Sequence, residues 1–484
     1  VAEVEIVDQT LRDGQQALWG MRMRVGHMLP VAADIDRVGY RVVDLTGSSI
    51  FEVLVRHCRE NPWEGLDLIS AAMPHSTLRA GTRPNGVVGM GRTPDAIVDL
   101  WVRTLARHGI GSLWIFDCLF NLDLMQRVAG VAAQEGMRVS PQVMFGHSPV
   151  HTDEYFRERV AAMAGWANLD SIILGDEAGV LTPERAHTFV PAMVAAAGNV
   201  PVELHFHNTT GLNSLNVLTG VDAGARIVHT ATAALANGPS MPSTPTTVDN
   251  LRRLGHTVNI DDARLPAVDE HFRRVAAAED LPLGQPAEYR VAVYEQQLPG
   301  GMTGTLRNQL AEVGMSDRLP AVLAEVEVVR REMGYPIMAT PFSQLVGIQA
   351  LLNVVNGKRY SVIPDENLLY LAGHLGTPPG PIDQQVLDRA FGDARGQRVK
   401  DNPPEQPTLH EIRHRLGDTL SDEELLLRYL MPGPDVDAMY AAGPVVRELP
   451  TLSENVRRLR EIMDATPGRH VHVQHGNFSV TLRR

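Results

Sequence analysis

One phrase recurs along the first half of the chain: a short apolar, β-branched run, a polar loop, then a longer segment with helical spacing of apolar residues. The apolar runs are Val4–Val7, Tyr40–Thr46, Leu66–Met73, Ser112–Leu119, Arg138–Phe145, Ser171–Leu174, Val202–His207 and Arg226–Ala233. Helical patterns lie between most of them, such as Pro94–His108 and Pro183–Ala197. Both open with proline just inside the start, after Thr93 or Thr182 as N-caps. Eight near-continuously apolar strands alternating with helices predict a parallel sheet covered on both faces. Closure into an α/β (β/α)₈ TIM barrel fits best, since that fold takes roughly 250 residues. The runner-up is a doubly wound open sheet, but no G-x-G-x-x-G follows the first run.

From about Asp269 the pattern changes to helices with longer connections, which predicts a C-terminal helical extension. A Gly-Gly turn is expected at Gly300–Gly301, and amphipathic helices at Leu319–Gly334 and Ser343–Asn356. Beyond these come a polar linker at Gly392–Pro407, helices at Ser421–Leu430 and Leu452–Ala465, and a final hairpin. The expected division is a barrel over 1–290, a helical extension completing the site region over 291–378, and a C-terminal helical region over 379–484. His470, His472 and His475 alternate in the hairpin and read as an exposed strand face rather than a metal site.

The chemistry is densest in PVELHFHNTTGL, from Pro201. Residues two apart on a strand share a face, so His205 and His207 point the same way. Two convergent neutral imidazoles suit a divalent transition metal. On the barrel reading Asp8 ends the first strand and the two histidines end the seventh, all at the carboxyl face where barrel active sites are built.

Composition narrows the setting. The 484 residues are 44% hydrophobic and 21% charged, an ordinary balance for a soluble globular protein. Net charge is -13 without a basic stripe, which argues against nucleic acid. No apolar run is long enough to span a bilayer, and no signal peptide opens the chain, so a cytoplasmic protein is expected. Cys58 and Cys118 lack pairing or zinc-ligand spacing, which suits a reducing compartment. The lysines are Lys358 and Lys400 alone, so no residue before 358 can form a Schiff base or a lysine carbamate.

Several phrases together resemble the carboxyltransferase domain shared by pyruvate carboxylase, the oxaloacetate decarboxylase alpha subunit and transcarboxylase. They are DQTLRDGQQAL (from Asp8), ENPWEGL (Glu60), STLRAG (Ser76), IFDCLFN (Ile115), SPVHTDEYF (Ser148), GDEAGVLTP (Gly175), LHFHNTTGLN (Leu204), QLPGGM (Gln297) and GYPIMATPFSQLVGIQALLNVVNGKRY (Gly334), with LSDEELLLRYLMP (Leu420) in the tail. That group is similar in turn to metal-dependent barrels such as hydroxymethylglutaryl-CoA lyase. The resemblance implies Asp8, His205 and His207 as ligands of a divalent ion, with zinc, manganese or cobalt suiting the donors. It implies Arg12 beside the bound acid as a catalytic group with Asp8, and Gln16, Arg79 and Arg12 as substrate-binding residues for a pyruvate- or oxaloacetate-like 2-oxo acid. It also implies a homodimer.

Two departures stand out. The family's K-D-M-A-G carries a carbamylated lysine that ligates the metal, whereas this chain has Gly175-Asp176-Glu177-Ala178-Gly179. The ion must then use the three ligands and water, or recruit Asp176 or Glu177. The family's G-T-S-Q-P carries a threonine that moves a proton between biotin and pyruvate. Here Gly238-Pro239-Ser240-Met241-Pro242 puts proline there, with neither hydroxyl nor N–H. No Met-Lys biotin-attachment segment is present; Lys400 follows Val399. The expectation is therefore a metal-dependent enzyme that makes or breaks a C–C bond at C3 of a 2-oxo acid through a metal-stabilised enolate, without biotin. Two alternatives remain: a biotin-dependent carboxyltransferase subunit served by a separate carrier protein, and a non-catalytic binding homologue.

Overall fold

Eight parallel strands close on themselves in sequence order in the computed structural model, which describes residues 2–312, 314–450, 462, 470–475 and 478–483. They are β1 (Glu5–Asp8), β2 (Val42–Gly47), β3 (Leu78–Thr82), β4 (Ile110–Phe116), β5 (Arg138–Met144), β6 (Ile172–Asp176), β7 (Val202–Phe206) and β8 (Ile227–Thr230). β8 pairs back onto β1 in the register Glu5↔Ile227 to Asp8↔Thr230, which closes the barrel. Alternation along β7 shows how the strands serve two environments. Leu204 faces outward against Gly220 of the helix Asn213–Asp222, while Glu203 and His205 face inward and meet side chains from other strands.

One predicted strand is corrected. Leu66–Met73 belongs to a helix, Pro62–Ala72, and the third strand is Leu78–Thr82 instead. Asn61 caps that helix by accepting from the Trp63 N–H, with Pro62 at its first position. Its buried positions Pro62, Leu66 and Ile69 are four and three apart, the spacing of one helical face, and Met73 is buried just past its end. The helix predicted at Pro94–His108 forms at Asp95–Arg107, but Thr93 does not cap it; the Thr93 hydroxyl accepts from the Val87 N–H. Thr182 does cap Pro183–Ala197, accepting from the Arg185 N–H.

The helical extension follows, with helices at Leu319–Glu332 and Phe342–Val355 where the apolar spacing put them. Gly300–Gly301 opens a helix, Gly300–Glu312, rather than a free turn, and the polar linker contains the helix Ala394–Asp401. The predicted helix Leu452–Ala465 lies outside the described residues, apart from 462. The closing hairpin is present as β9 (His470–His475) antiparallel to β10 (Phe478–Arg483), with the His472 ring exposed and 2.9 Å from Thr481 Oγ1.

The segment leading into the extension crosses the carboxyl end of the barrel. Trp19 Nε1 donates to the Pro282 carbonyl at 2.9 Å, Gly284 N donates to Ala234 O at 2.9 Å, and Gln297 exchanges hydrogen bonds with the His147 backbone. Later helices dock on the outer ring through Arg59–Asp435 and Arg107–Asp422. No helix among the described residues is long and apolar enough to cross a membrane.

The outer ring is held partly by aromatic packing. Phe51 is fully buried and meets Trp63 and Trp101 edge-on, with centroids 4.7 and 4.6 Å apart. Truncating it removes both contacts and leaves a cavity that these rigid rings cannot fill. Phe51→Ala is expected to cost about 3–5 kcal/mol of stability, read as a lower urea midpoint by tryptophan fluorescence; an unchanged midpoint would show the ring packing to be dispensable.

Candidate metal centre

At the carboxyl end of β7, His205 is the last inward-facing residue and His207 lies one position past the strand, tied by its N–H to Asp176 O at 3.0 Å. Two strands away, the chain leaving β1 enters a five-residue π-helical turn, Thr10–Gly14, closed by Gly14 N donating to Gln9 O at 2.8 Å. Such wide turns often mark functional positions, because they re-aim side chains that an α-turn would leave elsewhere. This one aims Asp13 at the histidines. Asp13 Oδ2 stands 3.0 Å from His205 Nε2 and 2.8 Å from His207 Nε2, and all three residues are buried. Among the described residues, this trio is the group of histidines, cysteines and acids able to share one ion.

Asp8, the acid expected to join the two histidines, stands outside this group. It ends β1 as expected, and its Oδ1 accepts from Thr10 Oγ1. Burial pushes the Asp8 carboxyl up to about 7, so near neutrality much of it is protonated. Asp13 behaves oppositely. Burial alone would raise it, but Arg12 and the two imidazoles hold it well below the usual carboxylate range.

Each imidazole is oriented by its other nitrogen. His207 Nδ1 lies 2.6 Å from Pro239 O and donates to it, so the ring keeps that proton and, once Nε2 gives up its own, would offer the Nε2 lone pair on the Asp13 side to a metal. His205 Nδ1 lies 2.8 Å from His229 Nδ1, and His229 Nε2 lies 2.6 Å from Glu203 Oε2. With His205 Nδ1–H donating to His229, the His229 Nε2–H donates to Glu203 and the His205 Nε2 lone pair is free. Partners of this kind fix a ligating histidine's tautomer and ring plane.

Arg12 stands beside the trio. Its Nη2 is 3.5 Å from Asp13 Oδ2, its Nε donates to Asp44 Oδ2 at 3.2 Å, and its guanidinium lies 4.8 Å from the Trp114 ring centroid. Trp114 can take that place because position 81 is glycine; a Cβ on Gly81 would overlap the indole.

Arg79, expected to bind substrate, lies away from the trio. It is fully buried lower in the barrel, where Nη1 and Nη2 grip Glu203 at 2.7 and 3.0 Å while Nε and Nη2 reach Ser112 and Ser140. Its bidentate carboxylate partner is thus a residue of the protein itself. Gln16 sits half-buried on the short helix Gln15–Trp19, and its neighbour Gln15 turns inward to accept from Met23 N. Sequence reasoning missed Asp13, His229 and Glu203. Asp13 was visible as the second acid of D-x-T-x-R-D, but nothing local marked its turn as π-helical.

The departures at Gly175 and Pro239 also find their places. A Cβ on Gly175 would overlap Gln142 Nε2 and Glu177 Oε1, which hydrogen-bond to each other there. Asp176 is spent on structure, accepting from Val180 N, Leu181 N and Asn213 Nδ2. Burial pushes the Glu177 carboxyl up to about 8. Pro239 offers its carbonyl to His207, and the Ser240 hydroxyl donates to Leu235 O at 2.6 Å inside the loop.

The trio fits a divalent ion. Asp13 Oδ2 and His207 Nε2 are buried and face each other at 2.8 Å, yet neither has a hydrogen bond of acceptable geometry. Converging lone pairs on an ionised carboxylate and two imidazoles are what such a cation satisfies.

Comparison with known proteins gives matches along most of the chain. Residues 122–271 match the HMGL-like family and residues 293–464 match the conserved carboxylase domain. A pyruvate carboxylase subunit from Methanocaldococcus jannaschii is 32% identical over 466 residues, covering 95% of this chain and 81% of that one. The methylmalonyl-CoA carboxyltransferase 5S subunit of Propionibacterium freudenreichii is 30% identical over 441 residues, covering 89% and 86%. The carboxyl transferase domain of Rhizobium etli pyruvate carboxylase, solved with oxamate and biotin, superposes with a TM-score of 0.82 at 26% identity, covering 93% of this chain and 79% of that one.

The two acids near β1 separate by mutation. Asp13→Asn is expected to remove bound metal, measured by elemental analysis after dialysis, whereas Asp8→Asn retains it. Because Asp8 holds its proton up to about 7 when folded but only to about 3.9 when unfolded, the folded state binds more protons between those values. Its contribution to stability is therefore full at low pH and lost as pH rises through about 7. Asp8→Asn should flatten that fall in thermal midpoint; a slope identical to the parent's would assign the pH dependence elsewhere.

Proposed function

Because the chain belongs to the carboxyltransferase family of pyruvate carboxylase and transcarboxylase, within the HMGL-like barrels, we propose that it exchanges a carboxyl group between biotin on a separate carrier protein and C3 of a pyruvate-like 2-oxo acid. The observation that carries this reading is the convergence of Asp13, His205 and His207 beside the Arg12 guanidinium. The expectation of a site working without biotin gives way to it. A subunit of pyruvate carboxylase aligns along nearly the whole chain, and a relative of the same fold was solved with biotin.

In this reading Asp13, His205 and His207 hold the divalent ion. When bound, that ion supplies Lewis-acid stabilisation of negative charge developing on the substrate's keto oxygen. Arg12 is the substrate's carboxylate anchor. Its Nε is occupied by Asp44 and its plane is fixed over Trp114, which leaves the outer N–H groups facing the Asp13 side for a planar anion. Gln16 contributes a further polar contact from the next turn. His229 and Glu203 keep His205 in the tautomer that ligation needs, and the Pro239 carbonyl does the same for His207.

Pro239 and the inward-facing Ser240 favour a second reading. With no side-chain hydroxyl free at that loop, the proton exchanged between C3 and biotin has lost its expected carrier, and metal-assisted decarboxylation alone needs none there.

Purified protein incubated with oxaloacetate and manganese, with and without a biotinylated carrier, separates the two. Pyruvate release accelerated at least tenfold by the carrier supports carboxyl transfer, and indifference to it with retained turnover supports the second reading. In either case His207→Ala is expected to abolish both metal content and turnover; full activity in metal-free protein overturns both.

A further inference from the structure

In β6 Gly175 pairs in register with His205 of β7, so a side chain there would project beside a proposed metal ligand. The space is not empty. Gln142, entering from β5, and Glu177, the first residue after β6, meet in it through the Gln142 Nε2–Glu177 Oε1 hydrogen bond. Only one oxygen of Glu177 is used. Its Oε2 is buried and has no hydrogen-bond partner, a condition it shares with Asp13 Oδ2 and His207 Nε2. After its own burial, the charge that acts most on Glu177 is that of His207, with Asp176 and Asp13 also contributing. A buried carboxylate oxygen left unpaired is costly unless a cation or proton satisfies it. Asp13 Oδ2 and His207 Nε2 face each other at 2.8 Å, and Glu177 enters the same end of the barrel from the residue after β6, beside the strand that carries His205.

We propose that Glu177 supplies the fourth protein ligand of the metal through Oε2, from the space that glycine at position 175 leaves open. The inference rests on the metal reading of Asp13, His205 and His207. Glu177 is outside the group whose ligand atoms already converge, so ligation through Oε2 would require its side chain to turn toward that group, with Oε1 starting from its bond to Gln142. Glycine at 175 is what makes this arrangement possible, since any side chain there would displace Gln142 and Glu177 together. Asp176, the neighbouring acid, cannot substitute, because three N–H groups already occupy both of its oxygens. The result is a site of two carboxylates and two imidazoles, built without a lysine.

Cobalt(II) provides a test independent of turnover. Titration of metal-free protein by calorimetry gives the dissociation constant, and the visible d–d bands of the bound ion report its coordination. Glu177→Gln keeps size and the contact with Gln142 while removing the charge. It is expected to weaken cobalt binding by about 10–100-fold, the range typical of perturbed metal-site partners, and to shift the d–d bands. Glu177→Asp, which retains charge on a shorter stem, should recover part of the affinity. Gln142→Ala should leave the band pattern of the parent. Parent-like affinity and bands in Glu177→Gln, alongside lost binding in His207→Ala, overturn this proposal but spare the metal reading. No cobalt binding by the parent protein overturns both.

Discussion

A buried anion needs compensation, and at the mouth of this barrel the anion is Asp13. Its carboxylate sits where water is excluded, 2.8 and 3.0 Å from two imidazole nitrogens and 3.5 Å from a guanidinium. Desolvation would neutralise such a group if its neighbours did not hold the charge in place. The surrounding structure is largely arranged around that requirement. The π-helical turn aims the carboxylate, β7 presents the rings, and Trp114 with Asp44 fixes the arginine.

Below the mouth, the barrel interior departs from the usual layers of branched apolar side chains. Arg79, Glu203, His229, Ser112, Ser140 and Ser171 form a connected polar column that ends at His205. Fully satisfied buried networks stiffen what they touch, whereas half-satisfied ones are a liability. Here the Arg79–Glu203 ion pair anchors the column, since removing either partner of a buried pair leaves an uncompensated charge. One consequence is that Glu203 is held ionised despite its burial, chiefly by Arg79. It can therefore accept from His229 and set the His205 tautomer two links away. Arg79 thus reaches His205 from beneath, through Glu203 and His229.

Much of this was legible along the chain. The alternation of apolar runs with helical spacing led to the eight-stranded barrel and the helical extension, and H-x-H at a strand end pointed to the two imidazoles. The misreadings have physical causes. LDLISAAM is apolar enough for a strand, but Asn61 and Pro62 start a helix before it, and a cap upstream outweighs local composition. Asp8 stood at the carboxyl end of its strand, where barrel chemistry gathers, and Asp13 five residues later looked like part of a loop. A single extra residue in the turn decided between them, and backbone hydrogen bonding of that kind has no local signature.

What the sequence by itself determined is the architecture, the pair of histidines, the absence of lysine from the barrel, and the likeness to carboxyltransferases, because each is written in periodicity or residue identity. Only the tertiary structure decided which carboxylate meets the imidazoles, that Arg79 is matched by Glu203, and that Gln142 and Glu177 fill the space over Gly175. Those outcomes depend on side chains from strands far apart in the chain competing for one small, dry volume, and pairwise distance inside a closed barrel is not encoded in the order of neighbours.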